Sequence, residues 1–189
     1  MRADFINIHY ICPYSLTLDI GNSINEAIER LNADDNDWVV LKDGDSMFLL
    51  PEYGSQINTA ITKYGNEYNL ITCLTNRLGN AYQTVDGMFD EIDISKHYEL
   101  AKYLQSTFKC TVEDYKHDCA GFFMLFPIRV WRSVGGFKNN LMFDSEFTKH
   151  VRMKGGKVGI MKGLYMFHAY RLWAKTRKEA KKSTSHLIR

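Results

Sequence analysis

Apolar and polar positions alternate along the chain in two distinct periods. Phe5 to Cys12 (FINIHYIC) is apolar and rich in β-formers, and Pro13 stops it, which predicts a first strand. Ile24, Ala27, Ile28 and Leu31 then fall at i, i+3, i+4 and i+7, one face of a helix, with Ser23 and Glu26 as its expected capping box. After the polar turn Asn32 to Asp37, the short run Trp38 to Leu41 (WVVL) reads as a buried strand opening into Lys42-Asp43-Gly44-Asp45. Residues 52 to 66 read as a loop or short helix, and Tyr68 to Leu74 as a strand. Thr75 to Asp93 has little periodicity and predicts a long irregular loop, after which Ser95 is placed to cap a helix to about Thr107.

The second half repeats the alternation. Ala120 to Phe126 is a predicted strand. Pro127 suits the first turn of a helix over Ile128 to Val134, ended by Gly135-Gly136. Asp144 or Ser145 is expected to start a helix ended by Gly155-Gly156, and Lys157 to Lys162 and Leu164 to His168 read as two short strands. Strands alternating with helices predict an α/β fold with a mostly parallel central sheet and helices on both faces. In such sheets ligands lie at the carboxyl ends of the strands, where Asp43 and Asp45 fall. The expected organisation is one domain over residues 1–170 and a basic, helical tail over 171–189.

Composition sharpens this picture in three places. Hydrophobic residues make up 45% of the 189, enough to build a core and too many for a disordered chain. The formal net charge of +2 selects no partner, but its distribution is uneven: six acids and one Lys lie between Asp34 and Glu52, and seven Lys or Arg and one Glu follow from Arg171. The four cysteines show no CxxC spacing, so reduced thiols in a cytoplasmic protein are expected. No apolar stretch is long enough to span a bilayer. The tail is a candidate for weak peripheral contact with a membrane. Nucleic-acid binding is not expected, because no aromatic residue is interleaved with its basic residues beyond Trp173.

Two carboxylates one residue apart at a strand end can reach one metal ion, and Gly44 is expected to let the backbone turn between them. Hard oxygen ligands suit Mg²⁺ or Mn²⁺, which bind diphosphate oxygens. Asp and Gly are equally the residues of an ordinary turn. Arg77, in the loop after a strand, is a candidate phosphate clamp or a surface residue. Trp131, beside Val130 and Val134, is expected to pack into the core.

Five segments in order resemble family-2 glycosyltransferases of the GT-A fold. Asp19-Ile20-Gly21 with the helix through Ile28 is similar to the family's N-x-G helix. Asp37 to Asp45 is similar to its strand ending in D-x-D. Gly121 to Leu125, Trp131 and Val134-Gly135-Gly136-Phe137 resemble its acceptor block. Phe143-Asp144-Ser145-Glu146 with Arg152 and Lys154 to Val158 resembles its E-D-x-D helix. Leu164 to His168 is similar to the strand ending in its late histidine. The resemblance implies that Asp45 binds a divalent metal, Mn²⁺ or Mg²⁺, with Asp43 on the metal or the donor ribose and His168 as a further ligand. It makes Asp144 the catalytic base that takes the acceptor hydroxyl's proton. The implied donor is a UDP-sugar, and the implied outcome is transfer to a glycan hydroxyl with inversion.

The chain departs from the family pattern in places. Phe143 stands where the family has Glu, and Asp19 where it has Asn. The first strand joins the N-x-G helix almost at once, so nucleobase recognition is expected to fall on Tyr10, Pro13 or Tyr14. Two other readings are a nucleotidyltransferase-like enzyme and a catalytically degenerate domain that binds a glycan or a partner.

Overall fold

In chain order the elements are β1 (Ile8–Ile11), α1 (Ile20–Glu29), β2 (Trp38–Lys42), β3 (Ser46–Phe48), α2 (Tyr53–Tyr64), β4 (Leu70–Thr75), α3 (Ile94–Phe108), β5 (Val112–Asp114), β6 (Phe123–Pro127), α4 (Ile128–Val134), α5 (Phe143–Met153), β7 (Val158–His168) and α6 (Arg177–Lys182). They are those of a computed structural model that describes residues 6–15 and 19–182. Phe5 and residues 183–189 of the basic tail lie outside the described residues. The chain is mixed α/β and forms two compact units. The first holds the chain up to Gly44, with Gly65–Thr72 and Asp118–Gly159; the second holds Asp45–Tyr64, Cys73–His117 and the described chain from Ile160. No described helix is long and apolar enough to cross a membrane.

In the first unit the hydrogen-bonded order is β1-β2-β6-β4. The first four residues of β2 are buried, as the apolar run requires of a strand covered on both faces. β1 pairs with β2 in parallel, Ile8 opposite Trp38 and Ile11 opposite Leu41. β6 is antiparallel both to β2, with Lys42 opposite Phe123, and to β4, with Ile71 opposite Leu125. The expectation of a mostly parallel sheet therefore needs correcting. Apolar periodicity marks a strand but carries no direction, and β6 enters the sheet from the end at which β2 leaves it. Its arrival is fixed where Asp43 N–H donates to the Phe122 carbonyl. An aromatic group fills the core beside it, with Phe137 and Phe147 stacked at 4.1 Å and Phe126 tilted against both.

In the second unit β7 pairs with β3 and β5. The β3–β7 ladder is antiparallel, with Ser46 opposite His168 and Phe48 opposite Met166. β7 is one continuous strand rather than two, because Gly163 lies in it without breaking it. A Cβ there would fall on the Lys109 carbonyl. Residues 53–64 form the three-turn helix α2, whose Ile57, Ala60 and Ile61 are buried at helical spacing. A cluster of Leu50, Ala101, Leu104 and Tyr165 forms the core under α3. Here Asp93 caps α3, accepting from Ser95 N–H, so Ser95 is the residue capped and not the cap.

Two other helix starts shift. α1 begins at Ile20, so Ser23 lies inside it and its N–H donates to the Asp19 carbonyl; no capping box forms. α5 begins at Phe143, which puts Asp144 in the first turn, where the helix dipole favours an anion, rather than at the N-cap.

Candidate functional site

In the first unit the carboxyl ends of the parallel strands β1 and β2 coincide. Ile11 pairs with Leu41, so Cys12, Pro13 and Tyr14 leave β1 at the end where Asp43 leaves β2. Tyr14 is 81% exposed and Tyr10, still in β1, is 43% exposed; Pro13 is half-buried. Pro13 and Tyr14 thus lie just beyond the carboxyl end of β1, and Tyr10 lies within the strand opposite Val40. Gly44 does not have left-handed backbone geometry. An added Cβ would meet only Cys12 Sγ at 3.6 Å. The conformational reason offered for Gly44 from sequence thus does not hold; the turn is one that any residue can make.

Asp144 reaches the same edge because β6 runs antiparallel. Gly121, two residues before β6, donates its N–H to Asp144 Oδ2 at 3.0 Å, and Ser145 N–H donates to Oδ1 at 2.7 Å. A Cβ at Gly121 would lie 2.6 Å from Phe143 Cζ, so any side chain there requires the Phe143 ring to shift. Burial pushes the Asp144 carboxyl from its ordinary 3.8 up to about 6. The two backbone N–H bonds oppose that rise, and the nearby Asp43 carboxylate adds to it. A half-buried carboxyl titrating near neutrality, whose oxygens still have lone pairs to accept with, can take a proton from a hydroxyl.

In the second unit the β3–β7 register determines what meets. The Asp45 carbonyl accepts from Ala169 N–H, and His168 Nε2 lies 3.1 Å from Asp45 Oδ1. The imidazole is 3% exposed and the carboxylate 50%. His168 Nδ1 lies 3.0 Å from the Arg77 carbonyl, which can only accept, so Nδ1 carries a proton. Both ring nitrogens thus face oxygen acceptors. Two arrangements satisfy Nε2: an imidazolium paired with Asp45, or a neutral ring whose lone pair shares a cation with the carboxylate. The His168 N–H donates to Asn76 Oδ1 at 2.8 Å, which holds the strand end itself.

Arg77 is not a phosphate clamp. It is 1% exposed. Its Nε donates to the Tyr170 carbonyl, Nη1 to that of Phe89, and Nη2 to those of Arg171 and Ala174. The guanidinium lies 4.3 Å over the Phe89 ring. Burial lowers its pKa, with Asp90 acting in the other direction. A planar five-donor fork suits this hub of carbonyls as well as it suits a phosphate, and sequence alone does not separate the two uses.

Two further residues hold the framework of these sites, Asn76 at the end of β7 and Asn25 in α1. Asn25 Oδ1 accepts from the Trp131 indole N–H at 2.9 Å and from Phe137 N–H at 2.8 Å, and its amide donates back to the Phe137 carbonyl. That bond keeps Trp131 half-buried at the α1–α4 surface instead of in the core. Neither role has a local signal, since each depends on a partner about a hundred residues away. No family model matches this chain, and no curated protein is significantly similar to it.

Proposed function

We propose that this chain is a metal-dependent glycosyltransferase, of hexosyl- or N-acetylhexosaminyl-transferase type, that moves a sugar from a UDP-linked donor to a hydroxyl of a glycan with inversion. One observation supports it most: His168 presents Nε2 to Asp45 while its other nitrogen is committed to the Arg77 carbonyl. An imidazole nitrogen and a carboxylate oxygen 3.1 Å apart are spaced like neighbouring ligands of a divalent ion, which lie about 3.0 Å apart for bonds of about 2.1 Å. A mixed nitrogen and oxygen set favours Mn²⁺ over Mg²⁺. Asp45 and His168 would hold the ion, with Asp43 two residues earlier in the same acidic turn. When bound, the ion neutralises charge developing on the leaving diphosphate.

The protein's own groups have the remaining work. Asp144, ionised above about pH 6, accepts the acceptor hydroxyl's proton as that oxygen attacks the anomeric carbon. Gly121 and Ser145 N–H groups hold the carboxylate in place while it does so. Tyr10 and Tyr14 offer exposed rings for a nucleobase at the edge of the first unit. Calorimetry with UDP and Mn²⁺ is the test. Mn²⁺-dependent UDP binding by wild type and its loss in Asp45→Ala are expected. Absence of binding, or equal binding by Asp45→Ala, would sink the proposal.

A second reading has its own support. Both Asp144 oxygens already accept backbone N–H bonds, which is also what a purely structural carboxylate does in a degenerate, binding-only domain. Donor turnover that disappears in Asp144→Asn while UDP binding stays would exclude it.

A further inference from the structure

The segment after β7 is a rigid turn with its apolar side chains facing outward. Arg77 holds the carbonyls of Tyr170, Arg171 and Ala174. Ala174 N–H donates to the Arg171 carbonyl, and Arg171 adopts φ 47, a left-handed geometry rare outside glycine. Ala174 and Ala180 are buried, yet between the held carbonyls of Arg171 and Ala174, Leu172 is 48% exposed and Trp173 64% exposed. An indole is among the costliest groups to leave in water, and here the fold spends a buried arginine on keeping the turn that displays it.

The chain that follows is strongly basic. From 171 to 182 there are six cations, Arg171, Lys175, Arg177, Lys178, Lys181 and Lys182, against Glu179 alone. Thr176 and Glu179 form a capping box for α6: Thr176 Oγ1 accepts from Glu179 N–H, and Glu179 reaches back to Lys175 N–H. Lys178 and Lys182 are exposed and one turn apart, on the side of α6 opposite buried Ala180.

We infer that the Tyr170–Ala174 turn and the basic helix behind it form a docking site for the surface of an anionic lipid bilayer. Trp and Leu enter the headgroup boundary, where an indole is favoured, and the lysines meet the negative surface potential. The turn is already ordered, so little conformational freedom is lost on contact. Charge complementarity selects an anionic surface. The aromatic residues stop at Trp173, so the segment lacks the interleaved stacking platforms that single-stranded nucleic acid uses. This inference does not rest on glycosyl transfer and stands or falls apart from it.

The test is cosedimentation of the full chain with phosphatidylcholine vesicles, with and without a third of phosphatidylglycerol, and with a single-stranded oligonucleotide in a parallel arm. Binding is expected only to the anionic vesicles, weakened by salt, with a blue shift of tryptophan emission. Trp173 is the exposed indole, Trp38 is buried and Trp131 is half-buried, so the part of the shift that is lost in Trp173→Ser reports on the turn. Trp173→Ser, at a site where the fold makes no demand, should lower the partition about tenfold. Lys178→Ala and Lys182→Ala should each lower it about fivefold. No binding to anionic vesicles, unchanged binding by Trp173→Ser with circular dichroism retained, or binding to the oligonucleotide alone would each overturn the inference.

Discussion

Asp144 and Asp45 are both carboxylates, and the two units treat them in opposite ways. Asp144 is drawn in between β6 and α5, held by two backbone N–H groups and pushed up to about 6 by burial. Asp45 stays half in solvent against a buried imidazole. The first environment raises the proton affinity of its carboxyl, and the second leaves its carboxylate facing an imidazole nitrogen and solvent. Two aspartates thus come to differ through burial and through the partner that each strand pairing supplies.

That contrast can be broken. The largest effect is expected from Asp144→Asn, which should lower transfer by about a thousandfold while leaving UDP and Mn²⁺ binding intact. Steady-state turnover set against calorimetric affinity checks it, and a matching fall in affinity would mean that Asp144 binds rather than reacts. His168→Ala should weaken Mn²⁺ by at least about 100-fold, read from the Mn²⁺ paramagnetic resonance signal on titration. Unchanged affinity would identify His168–Asp45 as a structural ion pair.

Stability predictions sharpen the same comparison. Arg77→Ala leaves four carbonyls without their donor and should cost about 3 kcal/mol or more in urea unfolding. Gly121→Ala forces Phe143 away and should cost about 1–3 kcal/mol, whereas Gly44→Ala should stay within about 0.5 kcal/mol. Equal costs for the two glycines would contradict the packing described for α5.

The smallest effect is a pH slope. Asp144 has a raised pKa in the folded state, so the folded chain binds more protons than the unfolded one between the ordinary 3.8 and about 6. Stability from this group is therefore present at the acid end and lost as pH rises through about 6. Asp144→Asn should flatten that part of the melting-temperature profile. In the reading proposed above, activity should rise over the same interval as the base ionises.

Much of the fold was legible. The α4 span Ile128–Val134 and the glycines that end it were readable because Pro, apolar spacing and Gly-Gly are local signals. β2 was legible for the same reason. β3 and β5, three residues each, are too short to carry a period, and β3 turned out to be what places Asp45 beside His168. The guanidinium of Arg77 was misread because its four acceptors lie 12 to 97 residues away.

By itself the sequence determined where apolar runs form strands and helices, where the acidic turn lies, and that a histidine ends the last strand. These depend on neighbours within a turn or two of chain. Only the tertiary structure decided strand direction, and with it which side chains share an end of a sheet. The antiparallel entry of β6 brought Gly121 and Asp144 to the end of β2, and the antiparallel β3–β7 ladder brought Asp45 to His168. Hydropathy has a period but no sign along the chain, so direction is settled by packing and hydrogen bonding between segments far apart in sequence.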